Sequence, residues 1–453
     1  MRGMLALIVS LGMVNAVSAR AVHEYKLDNG LKLIVKEDHR APVMVSQVWY
    51  KVGSSYEYDG ITGVSHVLEH MMFKGTPAHP AGEFSEIIAE NGGSENAFTS
   101  SDYTAYFQTM EASRLPVSFE LEADRMRNLS IPQDEFLKEV QVVMEERRMR
   151  TDDNPQSLTY EQFNAAAFAS SPYRIPVIGW MDDLKNMQAD DLRHWYEKWY
   201  APNNAIVVVV GDVKPDEVYR LAKQYFGPLK AEDVTPPKPR LEIKQLGPKE
   251  ISVSAPAKLP YLLMGFKTPV ASTADPAWEP YALEVLASIL DGGNSARLAN
   301  ELVRGKSIAA SAGASYDAFD RMANLFVLSG TPATGKSVDE LKAALKAQVV
   351  ALQEKPVSEA ELARVKAQLR ASKVYEQDSI FYQAMQLGML EAIGLDWKNA
   401  DDYLPRIEAV TADQVQAVAR KYLVEDALTV AELDPQPIDP KNPPRSGGSA
   451  YVR

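Results

Sequence analysis

The chain has 453 residues, of which 46% are apolar and 24% charged, with a formal net charge of −13; this excludes a disordered chain, and the length exceeds what one hydrophobic core usually serves. No basic stripe runs through it, which argues against nucleic acid as a partner. It contains no cysteine, which excludes disulfides.

Residues 1–21 read as a secretory signal. Arg2 supplies the positive charge, and Met4 to Val14 is apolar apart from Ser10 and Gly12. Val17-Ser18-Ala19 or Ala19-Arg20-Ala21 offers the small-residue cleavage pattern. The run is too short for an ordinary membrane span, and no later stretch is long and apolar enough for one. The mature chain is therefore expected to be exported and to carry no span. It opens with a hairpin signal, Tyr25–Leu27 and Leu31–Val35 about Asp28-Asn29-Gly30. A strand over Val43–Val52 follows, then a helix over Gly63–Phe73 closed by Gly75, and a second over Gly82–Glu90 ending at Gly92-Gly93. Strands near Ser94–Ser100 and Tyr103–Met110 precede helices over Glu111–Asn128 and Pro132–Arg150. Ser130 is a candidate cap for the latter, and Pro132 suits its first turn. Ala205–Val210 is a solid apolar run and reads as a buried strand.

A Pro- and Lys-rich stretch, residues 228–249, reads as a linker. Beyond it the pattern recurs. Ala189-Asp190-Asp191-Leu192 leads to Lys198-Trp199-Tyr200 and a strand; 223 residues later, Ala412-Asp413-Gln414-Val415 leads to Lys421-Tyr422 and a strand over Ala427–Ala431. Val67-Leu68 and Val285-Leu286 stand in similar places, 218 residues apart. The two offsets predict a duplicated α+β unit of about 220 residues. The expected organisation is a signal at 1–21, a first domain at 22–227, the linker at 228–249, a second domain at 250–434 and a loose Pro-, Gly- and Ser-rich tail at 435–453.

Of six histidines, two stand four apart in His66-Val67-Leu68-Glu69-His70. Residues i and i+4 share a helix face, so both imidazoles can reach one cation. Zinc takes imidazole and carboxylate ligands, and a catalytic site leaves its fourth position for water. Glu69 can overhang that water without binding the metal, the arrangement of the H-x-x-E-H motif. A third ligand is needed. Glu146 lies on the Pro132–Arg150 helix, with Glu139 two turns earlier on a face made partly apolar by Phe136, Val140 and Val143. Two carboxylates on such a face are costly unless paired, and a zinc with its histidines would pair them. Glu139 suits a hydrogen bond to a ligand histidine. Helical geometry alone leaves Glu145 open as the ligand in place of Glu146.

The run Gly63-Val64-Ser65-His66-Val67-Leu68-Glu69-His70-Met71-Met72-Phe73-Lys74-Gly75-Thr76 resembles the metal helix of pitrilysin-type peptidases, in the branch of mitochondrial processing peptidase and its bacterial relatives. Asn96-Ala97-Phe98-Thr99 with Asp102-Tyr103-Thr104, Glu139 through Glu146, and Tyr200-Ala201-Pro202-Asn203-Asn204 through Gly211-Asp212-Val213 are similar to further segments of that family, so the likeness spans nearly the whole mature chain. The resemblance selects Glu146 over Glu145 as third ligand. It implies one zinc per chain and two homologous α/β-sandwich-like domains forming half of a peptide-enclosing chamber. It also implies an unfolded peptide substrate that adds to the sheet edge at Asn96, Ala97, Phe98 and Thr99. With the signal at the N-terminus it implies a periplasmic zinc endopeptidase; a non-catalytic peptide-binding or assembly subunit is the alternative.

One departure stands out. Active relatives carry an Arg and a Tyr seven residues apart in a second-domain-type unit, where they hold substrate and stabilise the oxyanion. Here Val303 and Ala310 occupy those places; Arg304 is displaced by one, and neither Arg297 nor Tyr316 has the spacing. Glu284, Ala287 and Ser288 fall opposite His66, Glu69 and His70. The resemblance therefore implies a heterodimer in which a homologous metal-free chain supplies the pair, with a homodimer as the rival.

Overall fold

A computed structural model describes residues 22–238 and 240–439. The signal and most of the tail lie outside the described residues. The first half runs β1 (Val22–Lys26), β2 (Lys32–Glu37), β3 (Val43–Tyr50), α1 (Val64–Met71), α2 (Glu83–Glu90), β4 (Ser94–Thr99), β5 (Thr104–Glu111), α3 (Leu115–Asn128), α4 (Gln133–Arg147), α5 (Pro155–Ala167), α6 (Met181–Asn186), α7 (Ala189–Trp199), β6 (Ala205–Gly211) and α8 (Pro215–Tyr225). The second runs β7 (Lys249–Pro256), β8 (Tyr261–Thr268), α9 (Glu279–Asp291), β9 (Ala309–Ser315), β10 (Asn324–Pro332), α10 (Val338–Glu354), α11 (Glu359–Glu376), α12 (Ile380–Ala392), α13 (Asn399–Ala409), α14 (Ala412–Tyr422) and β11 (Leu428–Gln436).

The sheet orders are β1-β2-β6-β3-β5-β4 and β7-β11-β8-β10-β9. Set β1 aside and the two sheets correspond strand for strand. In each, the last strand slots between the opening two, parallel to the first (β2 with β6, β7 with β11) and antiparallel to the second. The repeated sequence patterns fall on α7 and α14, both opened by capping boxes, Gln188 with Asp191 and Thr411 with Gln414. The fold is two homologous α+β units.

Each sheet packs its own helices on one face, forming two large apolar cores. The opposite faces are covered reciprocally. Ile34, Val45, Trp49, Ile206, Val208 and Val210 of the first sheet pack against Ala384 and Leu387 of α12, from the second half. Leu263 and Ala431 of the second sheet pack against Phe163 and Ala167 of α5, from the first. This explains why β6 is buried along its whole length: both of its faces are covered. Glycine makes the room in both places. A Cβ at Gly388 of α12 would lie 2.2 Å from the Trp49 indole nitrogen, and one at Gly265 of β8 would lie 2.4 Å from the Phe163 ring. Among the described residues no helix is long and apolar enough to cross a membrane.

Several boundaries shift from the sequence reading. The helix expected from Pro132 starts at Gln133 with Pro132 as its N-cap and no side-chain cap. Ser130 does not cap it; the Ser130 amide instead donates to the Gly75 carbonyl at 3.0 Å. β5 runs through Glu111, so α3 begins later than expected. β11 continues through Pro435 and Gln436, paired with Ala255 and Pro256, past the expected start of the tail. The linker is pinned. Glu242 accepts the amides of Ala169, Ser170 and Ser171 at 2.8–3.1 Å, and the Lys267 ammonium at 2.5 Å. It thereby ties the end of α5 to β8.

Two outcomes follow from this packing. Gly388→Ala is expected to cost about 1–3 kcal/mol of stability through overpacking against Trp49; an unchanged denaturant midpoint would show that α12 does not seat there. Burial raises the Glu242 carboxyl, but the Ala169 amide, the Lys267 ammonium and the other two amides outweigh it and hold the group down at about 2. A depressed carboxylate stabilises the fold fully above its unfolded value of 4.5, and that contribution fades as pH falls toward 2. Glu242→Gln should therefore lose less stability than the unaltered chain between pH 5 and pH 3, measured as the shift in denaturant midpoint.

Candidate metal centre and cleft

α1 is held rigidly at its start. Gly63 precedes it at φ 88°, a left-handed conformation that favours glycine. The Glu57 carboxylate accepts the Gly63 amide at 2.7 Å and the Ser65 amide at 2.8 Å, two donors a helix N-terminus otherwise leaves orphaned. Asp183 accepts the Thr62 hydroxyl at 2.5 Å. Val64, Val67, Leu68 and Met71 enter the first core, which turns His66, Glu69 and His70 toward α4. The far end of α4 is anchored by Arg147, which donates to Glu161 at 2.7 and 2.8 Å and to the Gly179 carbonyl at 2.9 Å. The helix then passes into a π-turn at Arg148–Asp152, a geometry frequent at functional sites.

These constraints bring His66, His70 and Glu146 together, with one ligand atom from each inside a 4.8 Å span. The Nε2 atoms of His66 and His70 lie 3.8 and 3.4 Å from Glu146 Oε2. Tetrahedral zinc with bonds near 2.05 Å separates its ligands by roughly 3.3 Å, so the set fits that ion with little movement. The Glu146 carboxylate lacks any partner with hydrogen-bond geometry, although the Arg150 guanidinium sits 2.6 Å from Oε1 as an ion pair. Glu145 points elsewhere, toward Arg148 at 2.9 Å. Glu139 Oε2 lies 3.3 Å from His70 Nδ1, and its other oxygen takes the Lys74 ammonium at 2.6 Å. The His70 ring is thus oriented from behind, with Nε2 free to face the centre.

The electrostatics divide the two imidazoles. Burial, and then the charge on His70, push His66 down to about 4. Burial also acts to lower His70, but the hydrogen bond with Glu139 and the close Glu146 and Glu69 carboxylates outweigh it and push His70 up to about 9. Burial raises Glu69, opposed by a hydrogen bond from the Thr99 hydroxyl at 2.5 Å. Glu69 stays out of the three-residue ligand group. Its hydrogen bond to Thr99 escaped the sequence reading, as did the support that Glu57 and Lys74 give the site.

The centre opens into a cleft of about 900 Å³ between the two halves. Asn96, Ala97, Phe98 and Thr99 line it, and they lie on β4, the edge strand of the first sheet. An edge strand presents unpaired N–H and C=O groups, the template on which an extended peptide can add. The second half contributes Tyr261, Asp320 and Asn324. Val303, Ala310, Arg304, Arg297 and Tyr316 are not among the lining residues. Arg304 bonds to Asn294 and Asn300, Arg297 grips Glu361 at 2.7 and 2.9 Å, and the Tyr316 hydroxyl donates to the Pro269 carbonyl at 2.6 Å. On α9, Glu284 accepts the Tyr403 hydroxyl, and burial pushes its carboxyl up to about 7; the neighbouring Ala287 offers no metal ligand.

Comparison with known proteins places this geometry. Residues 32–179 match the family model described as Insulinase (Peptidase family M16), and residues 186–369 match Peptidase M16 inactive domain. The chain is 35% identical to the zinc protease PqqE of Helicobacter pylori, over 95% of this chain and 97% of that one. The crystal structure of a protease from Helicobacter pylori superposes with a TM-score of 0.87 at 32% identity, over 92% of this chain and all of that one. The periplasmic protease PqqL from Escherichia coli shares the fold, with a TM-score of 0.76 at 17% identity; the match covers 95% of this chain and 51% of that longer one.

The orienting role of Glu139 has a measurable consequence. Glu139→Gln is expected to weaken zinc binding by about 10–100-fold in chelator competition, the usual cost of losing such a carboxylate. Unchanged affinity would show that Lys74 and Glu139 pair for structure alone.

Proposed function

This chain belongs to peptidase family M16, the insulinase family, and on that premise we propose that it is a zinc-dependent endopeptidase that hydrolyses unfolded peptides. The observation that carries the reading is the convergence of His66, His70 and Glu146, with Glu69 beside them and outside the ligand set. In this reading the two imidazoles and the Glu146 carboxylate hold one zinc. Bound zinc supplies Lewis acidity toward a carbonyl and acidifies water to a pKa of about 7.

The remaining steps belong to the chain's own residues. β4 takes the substrate backbone as an added strand, which sets the scissile bond by main-chain hydrogen bonds and tolerates varied side chains. Glu69 accepts the proton of the attacking water and returns it to the leaving nitrogen. The Thr99 hydroxyl on Glu69 Oε2 leaves the other carboxylate oxygen free for that transfer. Glu139 fixes the His70 ring.

The name of the second family model refers to residues 186–369, where α9 lacks the metal set, whereas the candidate ligands lie within 32–179. That division favours a catalytic chain over a non-catalytic subunit. The missing Arg/Tyr pair supports a working unit of two homologous chains, the second metal-free and supplying the pair. The Arg2-led apolar run and small-residue cleavage pattern support export to the periplasm.

The test is hydrolysis of an unstructured fluorogenic peptide by the purified mature chain, with zinc measured on the same sample. Chelator-sensitive turnover is expected once the co-purifying homologue is present, and Glu69→Gln should lower it by about 10²–10⁴-fold while zinc stays bound. An active Glu69→Gln variant refutes the base. Bound zinc without turnover, restored by adding a co-purifying homologue, is the outcome expected of the two-chain unit.

A further inference from the structure

The second half also holds the turn beside the cleft through a side chain that the mechanism above does not use. Arg321 lies in the loop before β10. Its Nε donates to Asp102 Oδ1 at 3.0 Å, its backbone amide donates to Asp102 Oδ2 at 3.2 Å, and its Nη2 donates to Ser55 Oγ at 2.7 Å. The guanidinium lies 4.4 Å from the Tyr56 ring centre. Asp102 is 2% exposed and sits in the turn, residues 100–103, that joins β4 to β5. It accepts two further donors, the Ser55 hydroxyl at 2.7 Å and the Tyr173 hydroxyl. The Tyr173 oxygen in turn accepts the Met322 amide at 3.1 Å, a second link from the same loop.

The other side of the turn is equally confined. The amides of Ser54 and Ser55 donate to the carbonyls of Ser100 and Ser101 at 3.2 and 2.8 Å. A Cβ on Gly53 would lie 2.2 Å from the Ser100 carbonyl, so the turn rests on bare backbone. Three residues before Asp102 stands Thr99, opposite Thr104 in the ladder, with its hydroxyl on Glu69 Oε2. A shift of the turn would move that hydroxyl and the β4 edge together.

Holding the halves together is not a sufficient reason for this cluster. The exchanged helices α5 and α12 already join them over two apolar interfaces, and Lys32 with Glu391 adds an ion pair at 2.8 Å. What the Arg321 contacts add is a fixed position for one turn beside the cleft. We propose that Arg321 is a positioning residue for peptide hydrolysis: through Asp102 it fixes the 100–103 turn, and so holds Thr99 against Glu69 and the β4 edge in place for substrate. The assignment rests on the peptidase reading given above.

The test is a double-substitution cycle on the full-length, zinc-loaded enzyme, assayed at a temperature where circular dichroism shows each variant folded. Arg321→Met is expected to lower kcat at least tenfold with zinc stoichiometry unchanged, and Arg321→Lys to recover part of that loss. In a Thr99→Val background, where the link to Glu69 is already cut, Arg321→Met should change kcat less than twofold. Lys32→Met serves as the control, an inter-half ion pair with Glu391 that should lower the melting temperature and leave kcat alone. Losses that multiply in the double variant, or a lowered melting temperature with normal kcat, overturn the proposal. Should Arg321→Met fail to fold, Arg321→Lys carries the same cycle. An unaltered enzyme that stays inactive even with a co-purifying homologue would sink the peptidase reading itself, whereas multiplicative losses in an active enzyme sink only the role given to Arg321.

Discussion

A sheet has two faces, and in this protein neither half can cover both of its own. Each packs its helices on one side and takes the cover for the other from its twin: α12 seats on β3 and β6, and α5 on the second sheet. The large apolar area so buried makes the two halves one body. It also places α5 and the turn that follows α4 on the wall of the cleft. The site between the halves is therefore a consequence of how the sheets are covered. Two glycines, Gly388 and Gly265, are where the exchange is tightest, because there an aromatic ring of one half meets bare backbone of the other.

Within that body, the centre is a set of groups whose burial demands partners. Glu139 and Glu146 are both largely buried, and each is held below the ordinary carboxylate range because histidine and cationic neighbours outweigh the effect of burial. The partners divide by role. Lys74 and His70 occupy Glu139 from two sides. Glu146 keeps Oε2 turned to the two imidazoles while Arg150 attends Oε1. A divalent cation would take the place of these partial pairings by engaging Glu146 Oε2 and both imidazole nitrogens at once.

Much of this was legible in the sequence, and what was not has physical reasons. The spacing of His66, Glu69 and His70 put them on one helix before any coordinates, because i and i+4 are local. The apolar run at Ala205–Val210 declared a buried strand, but its cover, α12, lies about 180 residues downstream, beyond any local pattern. Glu145 and Glu146 could not be separated by periodicity; the packing of α4 separates them by sending one to Arg148 and the other to the histidines. Ser130 had the chemistry of a cap and failed as one because the helix starts at Gln133 with Pro132 at the cap position, which leaves Ser130 two residues too early. Residues 228–249 read as a linker from their composition; only the fold reveals that Glu242 meets three amides and a lysine across the chain.

The two halves share a topology and differ in what they keep on it. Where α1 carries two imidazoles, α9 carries Glu284, whose partner is a tyrosine hydroxyl of α13. Where the first half opens its edge strand to the cleft through Asn96 to Thr99, the second contributes no lining residue from β9, and presents the loop before β10 instead. That loop makes its contacts on the turn at the end of β4, three residues from the hydroxyl that Glu69 accepts. A duplicated unit without those imidazoles still serves the site in this way, because its geometry relative to its twin is fixed by the exchanged helices. Any side chain it directs at the twin's site arrives with that precision, as Arg321 does at the turn beside Glu69.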